Sequence, residues 1–348
     1  MSAGAPAGYA GFGPQQVLDA LDAAGLRGDG RILQLNSYEN RVWQLFLEDG
    51  GAVVAKFYRP GRWTDAQIVE EHDFALELAA AEVPVVPPRV LHPIGSADPD
   101  GRQATRWLPP QAPTLAVMAS DDPSAAHRFA VADRCAGREP ELEQPGTLRR
   151  IGAFIGRLHA VGARRPFEHR TTMRPYDDGR RACERLHDGG FVTDAERPAW
   201  VSTSERALDA IGDAVARTGA VATLRLHGDC HLGNVLWRDG PHVVDLDDAC
   251  NGPAIQDLWM LVSGDAATMR RQFDELLAGY EDFREFDDAE RALVEPLRTL
   301  RMLRHAAWIA DRWTDPSFPL NFPFFGTPAY WSQLTAQLRE QCELMAGG

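Results

Sequence analysis

The order of the hydrophobic patterns along the chain restricts its fold more than any other feature. Three short strand-like runs, Arg31–Asn36, Arg41–Leu47 and Ala52–Tyr58, stand near the start, and Asp49-Gly50-Gly51 separates the last two. Runs of this length bounded by Gly and Asp predict strands, and the Asp-Gly-Gly break predicts a hairpin. Helical spacing comes before them at Pro14–Ala24, through Val17, Leu18 and Leu21, and after them from about Thr64 to Ala81. Thr64 suits the N-cap of that second helix, Asp65 suits its positive dipole end, and Val83-Pro84 closes it. Pro93–Ser124 is rich in Pro, Asp, Gly and Ser and reads as strands broken by loops, while Arg128–Ala132 reads as a further strand. From Gly146 onward the pattern is mainly helical, with one interruption at Leu224–Leu246. Strands gathered first and helices afterwards predict an α+β, bilobal chain rather than a doubly wound sheet. The expected division is 1–130 for an N-terminal lobe and 131–348 for a C-terminal lobe, with a connection near Ala132–Glu141.

Charge and cysteine usage narrow the classes. The net charge of −14 argues against broad binding to nucleic acid or anionic lipid, both of which reward clustered Lys and Arg. No stretch reaches the length of a membrane-spanning helix, and Met1–Ala10 lacks the basic and apolar regions of a signal peptide. Five cysteines, none in a CxxC or CxxH pairing, fit reduced thiols better than a disulfide framework. A cytoplasmic protein is therefore expected, and a monomer.

The segment Leu226-His-Gly-Asp-Cys-His-Leu-Gly-Asn-Val-Leu-Trp237 carries the chemistry. It sets Asp229 and Asn234 in a D-x4-N spacing, with Gly228 and Gly233 permitting a tight loop. Asp229 can accept or orient the proton of an attacking hydroxyl, and Asn234 offers a neutral oxygen that Mg²⁺ tolerates. His242-Val-Val-Asp-Leu-Asp-Asp248 then reads as a buried strand ending in carboxylates, which puts Asp245 where a hard cation could bridge ATP phosphates. A base, an amide ligand and a carboxylate ligand in this order make half of a kinase site. His-x-Asp alone would be read as a solvated loop; the joint pattern is much rarer.

Together, His227-Gly-Asp-x-His-x-Gly-Asn234 and Val-Asp-Leu-Asp-Asp resemble the aminoglycoside phosphotransferase and choline kinase branch of the protein kinase-like fold. Longer stretches resemble, more narrowly, the bacterial stress response kinase A family of Ser/Thr protein kinases. They are Leu35–Arg41, Ala55–Pro60, Ile68–Phe74, Asp245–Leu261 and Asp311–Pro323. The resemblance runs from about Tyr9 to the last helix. It implies that Asp229 is the catalytic aspartate, that Asn234 and Asp245 bind Mg²⁺, and that Asp257 hydrogen-bonds the catalytic loop. Asp247 is a candidate for a second cation or for orienting the loop.

For the nucleotide, Lys56 ends the apolar run Ala52–Ala55, where a lysine can pair with the α- and β-phosphates of ATP if a carboxylate holds it. Glu71 shares an inward helical face with Phe74 and Leu78 and is the expected partner; Glu70 is the alternative. No GxGxxG lies between the first two strands, only Asn36-Ser-Tyr-Glu-Asn40; the resemblance to the stress response kinases implies that the Ser37 hydroxyl and nearby backbone N–H groups cap the phosphates. Gly11-Phe12-Gly13 reads as linker. Backbone groups at Phe129-Ala130-Val131 are expected to form the hinge that meets adenine. Segment 95–126 looks long and Pro-rich for the family.

Several residues have plainer readings. His227 supports the loop, and His231 with Cys230 lacks the further ligands zinc needs. Glu281–Glu290 reads as a solvated helix face, Trp308–Trp331 as aromatic packing, and Cys250 as a small buried residue. The leading expectation is a protein Ser/Thr kinase acting on itself or a protein partner. A small-molecule kinase of the aminoglycoside, choline or homoserine type comes second, and a nucleotide-binding scaffold third.

Overall fold

The computed structural model describes residues 9, 12–92, 105–107, 112–118 and 127–347. The rest of segment 95–126, and Gly11, lie outside the described residues. The chain divides into two compact units. The first comprises residues 1–141, 168–170 and 233–247, and the second comprises 142–167, 171–232 and 248–348.

The first unit is built on a six-stranded sheet whose described pairings are all antiparallel: β1 (Gly28–Leu35), β2 (Arg41–Leu47), β3 (Ala52–Phe57), β4 (Thr105–Trp107), β5 (Ala116–Met118) and β6 (Arg128–Asp133). The spatial order is β1-β2-β3-β6-β5-β4, so β6 reaches back to pair with β3. The expected hairpin joins β2 and β3. Gly50 there takes φ 86°, a left-handed value that suits glycine, and Asp49 Oδ1 accepts from Gly51 N at 2.9 Å.

Burial alternates along β2 and β3, as a half-covered sheet requires. Trp43, Leu45, Val53, Ala55 and Phe57 face a core that helix α1 (Pro14–Ala23) closes with Val17, Ala20 and Leu21. Each such large side chain contributes about 1.5–3 kcal/mol on burial. Phe12, in the stretch read as linker, packs 4.8 Å from the rings of both Phe57 and His127. Helix α2 (Asp65–Ala80) buries Ile68 in a separate cluster with Tyr58, Leu115 and Ala130. Thr64 caps α2 as expected, with Gln67 returning the bond in a capping box. Lys56 lies between the inward-facing Ala55 and Phe57 and so projects to the opposite face of β3. Strands β8 (Val235–Trp237) and β9 (Pro241–Val243) form a hairpin in the same unit, and Val243 N donates to Pro84 O at 3.0 Å.

The second unit is helical except for β7 (Leu224–Leu226) paired with β10 (Cys250–Gly252). Its helices are α3 (Thr147–Gly162), α4 (Pro175–Asp188), α5 (Arg197–Thr218), α6 (Ala266–Tyr280), α7 (Val294–Asp311), α8 (Ser317–Asn321) and α9 (Pro328–Gly347). Helices α3 and α6 touch backbone to backbone: a Cβ on Gly152 would lie 1.8 Å from Leu276 O, and one on Gly279 1.8 Å from Arg149 O. Trp200, Phe318, Phe325 and Trp331 pack the core of α4, α5, α7 and α9, so the aromatic tail builds structure, as expected.

Candidate active site

In the first unit the chemistry gathers on Lys56. Its register opposite Val42 on β2 and Ala130 on β6 fixes the backbone, and Nζ lies 2.9 Å from Asp245 Oδ1 and 3.1 Å from Asp247 Oδ1. Burial alone would lower the lysine's pKa, but the two carboxylates outweigh it and hold the ammonium charged well above the usual range. Asp247 is buried. Its Oδ2 accepts from Arg62 Nη1 and from Asn40 Nδ2 at 3.2 Å, and its backbone oxygen accepts from Arg170. Burial pushes its carboxyl up, yet Lys56, Arg62 and Arg170 more than reverse this and keep it ionised. Asp247 Oδ1 makes no well-directed hydrogen bond, although Lys56 is near enough to balance its charge.

Asp245 shares the Lys56 contact but differs from Asp247 in exposure and backbone. Its side chain is 54% exposed and its backbone takes φ 64°, a left-handed value for a non-glycine residue that costs roughly 1–3 kcal/mol. Such strain is retained where the position of the residue matters.

The lysine's carboxylate partner is therefore not the one expected. Among the described residues no ion pair joins Lys56 to Glu71. Glu71 is buried on α2, and burial pushes its pKa up to about 7 against the pull of Lys56 and Arg170. Next to it His72 is driven down to about 3, chiefly by burial, and sits between Tyr58 OH at 2.8 Å and Thr114 Oγ1 at 2.9 Å. Glu70, the alternative, is spent elsewhere, accepting from the backbone N–H groups of Glu168, His169 and Arg170.

The loop before β2 is held by side chains that follow β3. Arg59 donates to the carbonyls of Tyr38 and Glu39, Asn40 Oδ1 accepts from Arg59 N at 3.1 Å, and half-buried Ser37 accepts from Asn40 N at 3.3 Å. Phe129 and Val131 lie inside β6, opposite Phe57 and Ala55, with buried side chains, and Val131 O accepts from Arg89 N at 2.7 Å. They are strand-interior positions rather than a connecting hinge. Val244 N donates to Asn234 O at 3.1 Å, which ties the backbone of Asn234 to the residue before Asp245.

In the second unit Asp257 organises the loop that carries Asp229. Fully buried in a 3₁₀ turn, it accepts from His227 N at 2.7 Å through Oδ2 and from Gly228 N at 2.8 Å through Oδ1. His159 Nε2 lies 3.1 Å from Oδ2, and its Nδ1 lies 3.0 Å from Tyr280 OH. Gln256 Nε2 donates to Gly228 O at 2.8 Å. Gly228 needs its lack of a side chain, since at φ 86° a Cβ would lie 2.1 Å from Asp248 O. His227 supports the loop, its Nδ1 lying 3.3 Å from Asp229 N.

Asp229 itself is met by two basic side chains. Arg301 on α7 binds Oδ1 through Nη1, and His231 Nε2 lies 3.4 Å from Oδ2. Burial would raise the aspartate's pKa, but the His231 bond and the Arg301 charge win and hold it well below the usual carboxylate range. Sequence reasoning missed Arg301, because nothing local links two residues 72 apart. It also missed Glu290, placed in a run read as solvated. Glu290 is buried and accepts from Ile255 N at 2.8 Å, with burial raising its pKa to about 7.

Among the described residues no three His, Cys, Asp or Glu side chains converge as a ready-made metal cage. The donors present are the carboxylates of Asp245 and Asp247, only 2.9 and 3.1 Å from the same ammonium, and the amide of Asn234. A few hard oxygens of this kind fit a small divalent cation that keeps waters and takes its remaining ligands from phosphate, and they do not fit zinc.

Comparison with known proteins agrees with this chemistry. The model of the phosphotransferase enzyme family matches residues 31–294. Stress response kinase A of Salmonella choleraesuis is 40% identical over 332 residues, covering 95% of this chain and 93% of the relative. The serine/threonine protein kinase RdoA of Salmonella typhimurium matches at the same identity and coverage, and stress response kinase A of Escherichia coli K12 is 39% identical. Among solved structures, the amicoumacin kinase hAmiN, in complex with AMP-PNP and Ca²⁺, superposes with a TM-score of 0.67 at 19% identity, covering 96% of this chain and 94% of that one. A microcompartment-associated aminopropanol kinase gives 0.65 at 18%, covering 95% and 96%. The two structures speak for the fold, and the sequence relatives speak for the family: the chain belongs to the phosphotransferase enzyme family, among the stress response kinase A proteins.

Proposed function

We propose that the chain transfers the γ-phosphoryl group of ATP to Ser or Thr hydroxyls of proteins, its own included, as a cytoplasmic enzyme of a stress response that requires Mg²⁺. The observation that carries the choice of acceptor is the 40% identity, over 95% of the chain, to a relative named as a serine/threonine protein kinase. In this reading Lys56 holds α- and β-phosphate oxygens, Ser37 and the loop around it hold the outer phosphates, and Asn234 and Asp245 hold the cation. A divalent cation bound there supplies positive charge to the phosphoryl oxygens as charge develops on them.

Asp229 orients the acceptor hydroxyl. The hydroxyl oxygen bonds to the γ-phosphorus as the bond from that phosphorus to the β,γ-bridging oxygen breaks, ADP leaves, and the proton passes through Asp229 to solvent. A carboxylate held ionised so firmly is a weak base, so its main service is to aim the hydroxyl, taking the proton late. Fold neighbours named for small acceptors, amicoumacin and aminopropanol, support a small-molecule alcohol as the second reading.

The test is incubation of the purified chain with γ-labelled ATP and Mg²⁺, alone, with a generic protein acceptor, and with a panel of small amino alcohols. Label on protein Ser or Thr that falls at least about 10²-fold in Asp229→Asn is expected. Label on a small molecule alone would replace the protein acceptor with the second reading.

A further inference from the structure

Beside Asp229, within the second unit, lies an open pocket of about 410 Å³. Met260, Val262 and Met269 give it an apolar wall, and its charged or chargeable lining is Arg298, Arg301 and His231. Among the described residues no carboxylate lines it. Two of the three basic groups, Arg301 and His231, are also those that meet Asp229. Arg298 is turned to Glu295, 3.1 Å away on its own helix, and its guanidinium stands 5.5 Å from the ring of Trp259, so that ring is already engaged by a cation.

These contacts set a charge-balance problem for any acceptor. Arg301 holds Asp229 Oδ1, so a hydroxyl that hydrogen-bonds that oxygen would compete with it. Once displaced, Arg301 faces the pocket with its direct bond to Asp229 broken. A cationic acceptor would add like charge at that point, whereas an acceptor carrying its own carboxylate restores the balance. Arg301 suits the exchange, because its side chain is 46% exposed and so can turn without unpacking the helix.

Resting on the protein-kinase reading, we propose that this pocket selects Ser or Thr residues with an acidic neighbour in the acceptor chain, and that Arg301 is the specificity residue, passing from Asp229 to the acceptor's carboxylate. Because Arg301 touches Asp229 directly, the carboxylate stands within about two residues of the hydroxyl, at about 3.3–3.6 Å per extended residue. The apolar wall takes an uncharged flanking side chain.

The test uses the full chain with ATP, Mg²⁺ and matched Ser peptides whose flanking residue is Asp, Asn or Lys. The expected result is a kcat/KM roughly tenfold higher for Asp than for Lys, with Asn between them. In Arg301→Gln the Asp-to-Asn ratio falls towards one, whatever happens to the absolute rate, and Arg301→Lys restores part of it. Transfer to all three peptides at equal kcat/KM by the wild-type chain overturns the specificity proposal and leaves the protein-kinase reading standing. A preference unchanged in Arg301→Gln removes Arg301 from the role. Label on no peptide and no protein, but on small amino alcohols run beside them, overturns both readings together.

Discussion

Asp257→Asn isolates the bonds that shape the loop bearing Asp229. Both carboxylate oxygens are committed, Oδ2 to His227 N and His159, and Oδ1 to Gly228 N, and the side chain has no exposure through which water could stand in. Asparagine keeps the shape but has one acceptor oxygen. With that oxygen facing His227 and His159, the new NH₂ group faces the Gly228 N–H, and two donors oppose each other in a dry site. A hydrogen bond to a charged group contributes about 1.5–3 kcal/mol, and a buried donor left unsatisfied costs about 1–3 kcal/mol. The two figures describe largely the same bond, so a loss of roughly 2–4 kcal/mol is expected. At 1.4 kcal/mol per factor of ten, this is about 30- to 700-fold in the local opening equilibrium.

Amide hydrogen exchange reads that equilibrium directly. In the variant the amides of His227 and Gly228 should exchange faster by about that factor, while those of β3, in the other unit, change little. Phosphoryl transfer should fall at least about tenfold, because Asp229 follows Gly228 directly. Exchange at both loop amides within about threefold of wild type would refute the assignment of Asp257 as the loop's anchor. Equal acceleration across β3 would refute the local character of the effect.

Glu71 gives a dependence on pH. The folded chain holds its proton more tightly than the unfolded chain, with a pKa of about 7 against 4.5, so stability is full below about pH 4.5 and falls as pH rises through 7. Glu71→Gln should remove that fall, of about 3 kcal/mol, and a melting series on both proteins measures the gap opening across the window. Asp247→Asn should destabilise by roughly 3–5 kcal/mol in denaturant titration, since it leaves Lys56, Arg62 and Arg170 without their shared anion, whereas Asp245→Asn should cost under about 1 kcal/mol. Equal losses in the two variants would contradict the distinction. Gly228→Ala should abolish transfer and destabilise the second unit, as its Cβ would meet Asp248 O at 2.1 Å; wild-type activity would show that the loop can be rebuilt.

The parts of this architecture that a reader of the sequence can see are those that local chemistry determines. The β2–β3 hairpin follows from Asp49-Gly50-Gly51, the start of α2 from Thr64 and Asp65, and the tight turn beside Asp229 from Gly228. Asp257 is expected as the loop's anchor only through the family resemblance, and it does accept from His227 N and Gly228 N. What was not legible depends on which distant side chains meet. Helical spacing correctly turns Glu71 inward, but it cannot say that the lysine's nearest anions come from Asp245 and Asp247, 189 and 191 positions further on. Glu70 reads as an alternative partner until segment 168–170 comes to lie against it. Arg62 and Asn40 carry no local mark of an ion cluster, and Glu290 sits in an acidic run that gives no sign of its burial.

The two carboxylates on Lys56 show how one cluster can be both rigid and ready to change partner. Asp247, 4% exposed and surrounded by Lys56, Arg62, Arg170 and Asn40, is a buried anion that loses several kcal/mol if any one cation leaves. Asp245 is more than half exposed and has one cationic partner among its recorded ion pairs, and an exposed pair of that kind holds by about 0–1 kcal/mol. That is too little to offset a left-handed backbone costing about 1–3 kcal/mol, so the Lys56 contact is not what keeps Asp245 in its conformation. The restraint comes from the main chain on either side: Val244 N is bonded to Asn234 O, and two residues on, Asp247 is clamped. The backbone of Asp245 is thus fixed by its neighbours while its carboxylate is held only loosely. Were phosphates to compete for Lys56 and a cation for Asp245, as the proposed function requires, Asp245 is the carboxylate that could let go, and Asp247 would keep the lysine in place.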